Sequence, residues 1–232
     1  MPIHDWTRVS AALFQSFRSA WVVAIDRALN GGALPPGYYA LLAPAAVSAA
    51  EVVADPGTVP FREPWRETPA ADDMEFYRLK KSHIVVRRSS DHTAVAVVDV
   101  VSAGDRATAA SVRAITDRLT GVLRHGVNVL LCDVLPPGPH DPHGLHSSIW
   151  AEVTDSDFAL VADKPLAVMA YAAAPAVTAG VETLAVGDVL PDMPLALTPR
   201  EHAFVALEAA YQAAWGGEPA FVRELLDSAS VR

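Results

Sequence analysis

The stretch AVAVVDVVSAGDR, residues 94–106, begins a strand–helix–strand pattern from which the fold class can be predicted. Its first half is a β-branched apolar run, which predicts a buried strand, and Ser-Ala-Gly-Asp-Arg then breaks the run. Residues 106 to 125 have the apolar spacing of a helix, and VNVLLCDVL at 127–135 is a second buried run. This order predicts a right-handed crossover, with residues 92 to 102 parallel to residues 127 to 134.

The segments around this unit extend the sheet. HIVVRRSS and HTAVAVVDVVS predict an antiparallel hairpin, and GALPPGYYALLAP and AVSAAEVVADP predict two short strands. Further strands are predicted at LAVMAYAA and VETLAVGD, and VGDVLPDMPLAL reads as an extended segment that covers a sheet edge. Helices are predicted over 8 to 29, at LHSSIWAEV, and from 199 to 226. The whole chain, 1–232, is therefore predicted to be a single α/β domain with a mixed central sheet flanked by helices.

Composition limits the classes of protein to which the chain can belong. Of its 232 residues, 51% are hydrophobic and 19% charged, which is enough material for a core. The net charge of −9 disfavours nucleic acid and anionic membranes as partners, although a local basic patch would still allow nucleic acid. A single cysteine, no signal-peptide pattern and no spanning apolar run predict a cytoplasmic protein with no membrane partner. Other partners and the oligomeric state stay open.

Asp99 is the most unusual residue of the central run, because an ionised carboxylate in an apolar strand is costly without a partner. Either Asp99 has a partner or it lies at the exposed end of the strand. Glu51, on a strand predicted to join the same sheet, would allow the two carboxylates to hold one Mg²⁺, with Arg106 as a clamp for a phosphate. The competing interpretation is a capping or hydrogen-bonded acid with no catalytic role.

The PD-(D/E)XK nuclease pattern has this form, an acid on one strand and then acid, any residue and lysine on the next. Val101 stands where the lysine belongs, and it can neither orient water nor stabilise negative charge. A second candidate, the run HDPHGLH, has three imidazoles that could hold zinc. Because prolines hold this run in an irregular loop, we expect His140, His143 and His146 not to converge on a metal.

Collinear segments over almost the whole chain resemble the bacterial family called domain of unknown function 4058. They are MPIHDWTRV, LPPGYYAL, VVDVVSAGDR, HGVNVLLCDVLPPGPHDPHGLH, DKPLAVMAY, VGDVLPDMPLAL and LEAAYQAAW. The resemblance implies a core similar to the PD-(D/E)XK restriction-endonuclease-like superfamily, and it carries Glu51 and Asp99 over as the metal pair. The family's usual lysine is Arg106 here, and the histidines that often follow the two phenylalanines of the first helix are Gln15 and Arg18.

Two functions follow from these observations. One is a catalytically silent relative that uses the sheet as a binding or assembly scaffold, which the missing lysine and the acidic composition favour. The other is a Mg²⁺-dependent phosphodiesterase or nuclease in which Glu51 and Asp99 bind the metal and Arg106 contacts a phosphate. Any binding of a divalent metal is predicted to be weak and to need Glu51 and Asp99 together, so replacing Asp99 by asparagine should abolish it. The same replacement should leave folding intact or improve it, because an unpaired buried acid opposes folding.

Overall fold

Six strands form one mixed sheet in the order in which they occur along the chain. The computed structural model describes residues 3–44, 52, 82–154, 156–160, 163–174 and 176–227. Within these residues the fold is α/β, as predicted. The strands of the sheet are β1 (Tyr38–Pro44), β2 (Ser82–Arg88), β3 (Ala94–Val100), β4 (Asn128–Asp133), β5 (Leu166–Ala172) and β6 (Thr178–Leu184).

The predicted crossover is confirmed. Strands β3 and β4 are parallel neighbours, and helix α2 (Ala109–Arg124) connects them. A 3₁₀ turn over Ala103–Arg106 comes first, and Thr108 then caps α2 by accepting a hydrogen bond from the Ser111 N–H. All other neighbouring strands of this sheet are antiparallel, including the predicted β2–β3 hairpin. The carboxyl ends of β3 and β4 therefore lie side by side.

Helices cover both faces of the sheet. Helix α1 (Ala11–Ala28) packs its aromatic stripe, Phe14, Phe17 and Trp21, against the face that contains Ile84 and Val98. Helices α2 and α3 (Gly144–Thr154) cover the opposite face. The first helix was predicted over residues 8 to 29, but Asp5 caps a separate 3₁₀ turn, Trp6–Arg8, and α1 begins only after its own cap at Ser10.

The C-terminal prediction was partly wrong. Glu201–Ala206 is a strand, β8, which pairs with β7 (Asp192–Thr198), and helices α4 (Leu207–Trp215) and α5 (Ala220–Asp227) follow. EHAFVA alternates buried Ala203 and Val205 with exposed His202 and Phe204, which is the period of a strand and not of a helix. The β7–β8 hairpin also contacts β3, β4 and β5 on the face of the large sheet and does not cover an edge.

Several expectations fall outside the described residues. The second short strand, at residues 45 to 55, and the exposed loop expected after it are among them, apart from Val52. None of the helices in the described ranges is both long and apolar enough to cross a membrane.

The outer edge of β1 is blocked by a side chain. The Asn30 amide donates to the Ala40 carbonyl at 3.1 Å, and its oxygen accepts from the Ala40 N–H at 2.9 Å. Asn30 therefore makes the two hydrogen bonds that a neighbouring strand would make at this residue, a way of protecting a sheet edge from unwanted pairing.

We expect Asn30→Ala to lower the free energy of unfolding by about 1 kcal/mol, because two partly buried backbone groups lose their partner. Chemical denaturation measures the change. Asn30→Asp is the matched variant, since it keeps the acceptor for the Ala40 N–H and loses only the donor. An Asn30→Ala protein as stable as wild type would show that water replaces the amide at no cost.

Candidate functional site

Asp99 lies near the carboxyl end of β3 and is only 2% exposed. Its side chain shares a face with Val97 and Val101, which pack with Leu119 of α2. The carboxylate is therefore buried between the sheet and α2, and it does not lie at an exposed strand end. Because an unpaired charge is costly to bury, the role of Asp99 depends on which groups pair with it.

Two arginines occupy the two oxygens of Asp99. Arg18 Nη2 lies 3.1 Å from Oδ1, and Arg118 Nη2 lies 2.5 Å from Oδ2. Arg18 comes from α1, and it also donates to the carbonyl oxygens of Val100 at 2.5 Å and Ser82 at 3.1 Å. Burial alone would raise the pKa of Asp99, but the guanidiniums of Arg118 and Arg18 outweigh it and hold that pKa below its usual range. Asp99 is thus an ionised, paired residue.

His83 of β2 completes this buried cluster. The imidazole is fully buried, and burial lowers its pKa to about 4, so the ring is neutral at pH 7. One carboxylate and two guanidiniums then give the cluster a net charge of +1. Within the described part of the chain, both ring nitrogens of His83 and the Nη1 atoms of Arg18 and Arg118 have no hydrogen-bond partner. Among the described residues, the cluster therefore has unpaired donors and no further acidic side chain.

Arg106 belongs to a second buried cluster. Its guanidinium pairs with Asp133 at the end of β4, and its Nε lies 2.8 Å from Asp141 Oδ2. Nη1 also donates to the carbonyl oxygens of Leu135 and Pro136. Burial raises the pKa of Asp133 to about 7 against the opposing effect of Arg106, as expected where two buried acids share one cation. Nε and Asp141 Oδ2 lie at ion-pair distance without hydrogen-bond geometry, so Arg106 holds the loop after β4 chiefly through Asp133 and the two carbonyl oxygens.

The predicted metal pair is only partly visible. Glu51 lies outside the described residues, so its distance from Asp99 is not defined. Among the residues that are described, no group of three or more acidic, histidine or cysteine side chains is arranged to hold a metal ion. The surroundings of Asp99 suit Mg²⁺ poorly, because both oxygens already bind guanidiniums and the excess charge nearby is positive.

The three histidines of HDPHGLH have different surroundings. His146 is buried in α3, with Nδ1 2.6 Å from the Tyr171 hydroxyl and its ring against Phe158. Burial lowers the pKa of His146 to about 4. His140 and His143 are exposed. His146 is therefore part of the core beneath α3.

The N-terminal motif HDWTR attaches the start of the chain to α4. Trp6 stacks on Phe17 of α1, with ring centroids 4.2 Å apart. The Tyr211 hydroxyl accepts from the Trp6 indole N–H and the His4 backbone N–H, so its own hydrogen is directed to His4 Nδ1 at 2.9 Å. His4 Nε2 then carries the hydrogen and donates to Asp227. This network uses both nitrogens of His4 for structure.

The sequence interpretation missed Arg18, Arg118, His83 and Asp133 as members of buried clusters. A signal existed for the arginines, because Arg18 lies four residues after Phe14 and Arg118 lies three residues after Ile115, each within an apolar helical stripe. A cation in such a stripe needs a buried anion, and Asp99 was available. Asp133 gave a similar signal, as an acid at the end of an apolar strand.

Comparisons with protein-family models, with curated proteins and with solved structures found no match. The resemblance to the domain of unknown function 4058 and to the PD-(D/E)XK superfamily therefore stays a prediction. The contacts within this chain are therefore the basis on which a function can be proposed.

Proposed function

We propose that this chain is a binding or assembly scaffold, built on an α/β core that resembles a nuclease-like fold whose acidic site no longer works. The observation that carries the proposal is the pairing of both Asp99 oxygens with Arg18 and Arg118. In this arrangement each Asp99 oxygen is paired with a cation, and the carboxylate neutralises part of a buried positive cluster, which opposes a metal ion at the same oxygens.

The electrostatics of the cluster support the same proposal. Mg²⁺ is bound by hard oxygen ligands and keeps several waters, so it needs accessible carboxylates. Asp99 is 2% exposed, and a divalent cation beside it would face two guanidiniums at short range. Arg106 is also engaged, with Asp133 and Asp141, and would have to leave both acids to contact a phosphate.

The overall charge disfavours nucleic acid as the ligand of this scaffold. A net charge of −9 repels a polyanion. Arg18 and Arg106 are buried, the Arg118 side chain is only 12% exposed, and all three form ion pairs. A protein partner fits this composition better, and a bacterial protein of the cytoplasm is the setting that we propose.

Calorimetric titration with Mg²⁺ and with Mn²⁺ tests the proposal, together with cleavage assays on plasmid DNA and single-stranded RNA. We expect no saturable heat with millimolar metal and no cleavage above the buffer control, because Asp99 is buried and both of its oxygens are paired with guanidiniums. Asp99→Asn and Asp91→Asn form a matched pair, since Asp91 forms an exposed ion pair with Arg88.

Saturable heat or cleavage by the wild-type chain would overturn the scaffold proposal, even if Asp99→Asn failed to fold. Loss of that signal in an Asp99→Asn protein that still folds, but not in Asp91→Asn, would place the metal at Asp99 and favour the phosphodiesterase. Cleavage that both variants retain would place a catalytic centre elsewhere.

A further inference from the structure

The two edges of the large sheet differ in their protection. The β1 edge is blocked at Ala40 by the Asn30 amide. At the other edge, β6 is the last strand in the described part of the chain, and no described residue pairs with its outer side. An open edge of seven residues is a template for another strand, and proteins usually protect one.

The alternation of hydrogen bonds identifies the open backbone groups of β6. The Val101 N–H bonds to Cys132 O, so even-numbered residues of β4 face β3 and odd-numbered ones face β5. The registers Leu131↔Met169 and Val168↔Glu182 contain no shift, so even-numbered residues of β6 face β5. Ala179, Val181 and Thr183 therefore direct their N–H and C=O groups away from the sheet.

The β6 edge lacks the features that discourage pairing. It contains no lysine, arginine or proline, and its register with β5 has no bulge. Its one charged residue, Glu182, directs its backbone N–H and C=O toward β5, so it is not one of the three residues whose backbone groups face outward. Ala179 and Val181 are partly buried against the core beneath α3, so a neighbouring strand would extend an apolar layer that already exists.

We infer that the β6 edge is an assembly surface that pairs antiparallel with β6 of a second copy of this chain. The inference rests on the proposed function, because it names a partner for the scaffold. A two-fold axis at Val181 places Val181 opposite Val181 and Ala179 opposite Thr183, which joins all three outward-facing residues in hydrogen-bonded pairs. Two six-stranded sheets then form one continuous sheet.

The charge pattern of β6 is compatible with a second copy as the occupant. In this register Glu182 lies opposite Gly180, so no like charges face each other across the axis. The two-fold arrangement also closes the assembly at two copies, because each chain offers one open β6 edge.

The molar mass of the wild-type chain in solution tests the inference, measured by light scattering and sedimentation over a series from low to several hundred micromolar. We expect a dimer at the upper end of the series. Val181→Pro removes one outward N–H and keeps every hydrogen bond between β5 and β6, so this variant should be a folded monomer. Val181→Ala also removes the valine side chain but keeps the N–H, so this variant should still dimerise.

Cross-linking tests the register without depending on Val181→Pro. Residues that face each other in a hydrogen-bonded antiparallel pair have Cα atoms about 5.5 Å apart, a distance that a disulfide can bridge. Val181→Cys should therefore form a covalent dimer on mild oxidation, whereas Thr183→Cys, opposite Ala179, should not. Cys132 is fully buried and should not interfere.

A wild-type monomer throughout the series, or a dimer that Val181→Pro leaves intact and Val181→Cys does not cross-link, would overturn the inference. Either result would leave the proposed function standing, provided that metal titration and cleavage assays stay negative. Conversely, Mg²⁺-dependent cleavage by a dimer paired through β6 would overturn the proposed function alone.

Discussion

Replacing Asp99 by asparagine should lower the free energy of unfolding by about 3–5 kcal/mol, as is typical when one partner of a buried ion pair is removed. Two buried guanidiniums, those of Arg18 and Arg118, would lose the only carboxylate that they contact among the described residues. This reverses the expectation from the sequence that asparagine would leave folding intact or improve it. That expectation assumed an unpaired acid, whereas the structure shows a paired one.

Denaturant unfolding of wild type and Asp99→Asn measures this change. Asp91→Asn is the control, because the Arg88–Asp91 pair is exposed and such pairs contribute about 0–1 kcal/mol. Adding Arg118→Met to Asp99→Asn should restore part of the loss, since one of the two unpaired cations is then removed. An Asp99→Asn protein within about 0.5 kcal/mol of wild type would contradict the ion-pair assignment and remove the main support for the proposed function.

His83→Leu should make the protein more resistant to acid. The free energy of unfolding of the variant, minus that of wild type, should be about 3 kcal/mol larger near pH 4 than near pH 7.5. Burial lowers the pKa of His83 from 6.5 to about 4. The unfolded chain therefore takes up a proton as the pH falls below 6.5, while the folded protein does so only near pH 4. The contribution of neutral His83 to the free energy of unfolding is complete above pH 6.5 and is lost as the pH falls through this window. Because leucine cannot titrate, the His83→Leu protein does not undergo this loss.

The measurement is the free energy of unfolding of both proteins at several pH values between about 4 and 7.5. Comparing the two proteins isolates His83, because titration of His146 and Asp133 contributes equally to both curves. His143→Leu is the matched control, since an exposed ring has similar surroundings in the folded and unfolded chain. Parallel curves for wild type and His83→Leu would show that His83 is protonated in the folded protein or is reached by water.

The two predictions bear on function as well as stability. If Asp99, Arg18, Arg118 and His83 form a structural cluster, their replacement should change folding and leave the mass of any dimer unaffected in variants that still fold. The outward-facing groups of β6 should show the opposite behaviour, because Val181→Pro keeps the bonds within the sheet. The stability of the core and the assembly of copies can therefore be tested separately.

The α/β architecture around β3, α2 and β4 can be predicted from local sequence patterns alone. Residues 94–100 form an apolar β-branched run, and residues 109–124 repeat apolar side chains every three or four positions. Such periodicities arise from neighbours along the chain, and connections between parallel strands follow a fixed hand, so the crossover could be predicted without tertiary information. The hairpin of β2 and β3 was predictable for the same reason.

The role of Asp99 depends on contacts between segments that are distant in the sequence. Its partners lie 81 residues before it, at Arg18, and 19 residues after it, at Arg118, and both reach it from different helices. Sequence periodicity could indicate that each of these residues faces the core, but not that their charged groups meet. Likewise, EHAFVA alternates as a strand does, but the helical pattern of the residues after it led to the prediction of a helix. The place of β6 at the edge of the described sheet depends on the order of the strands. Contacts between distant segments are set by packing, which no local pattern contains.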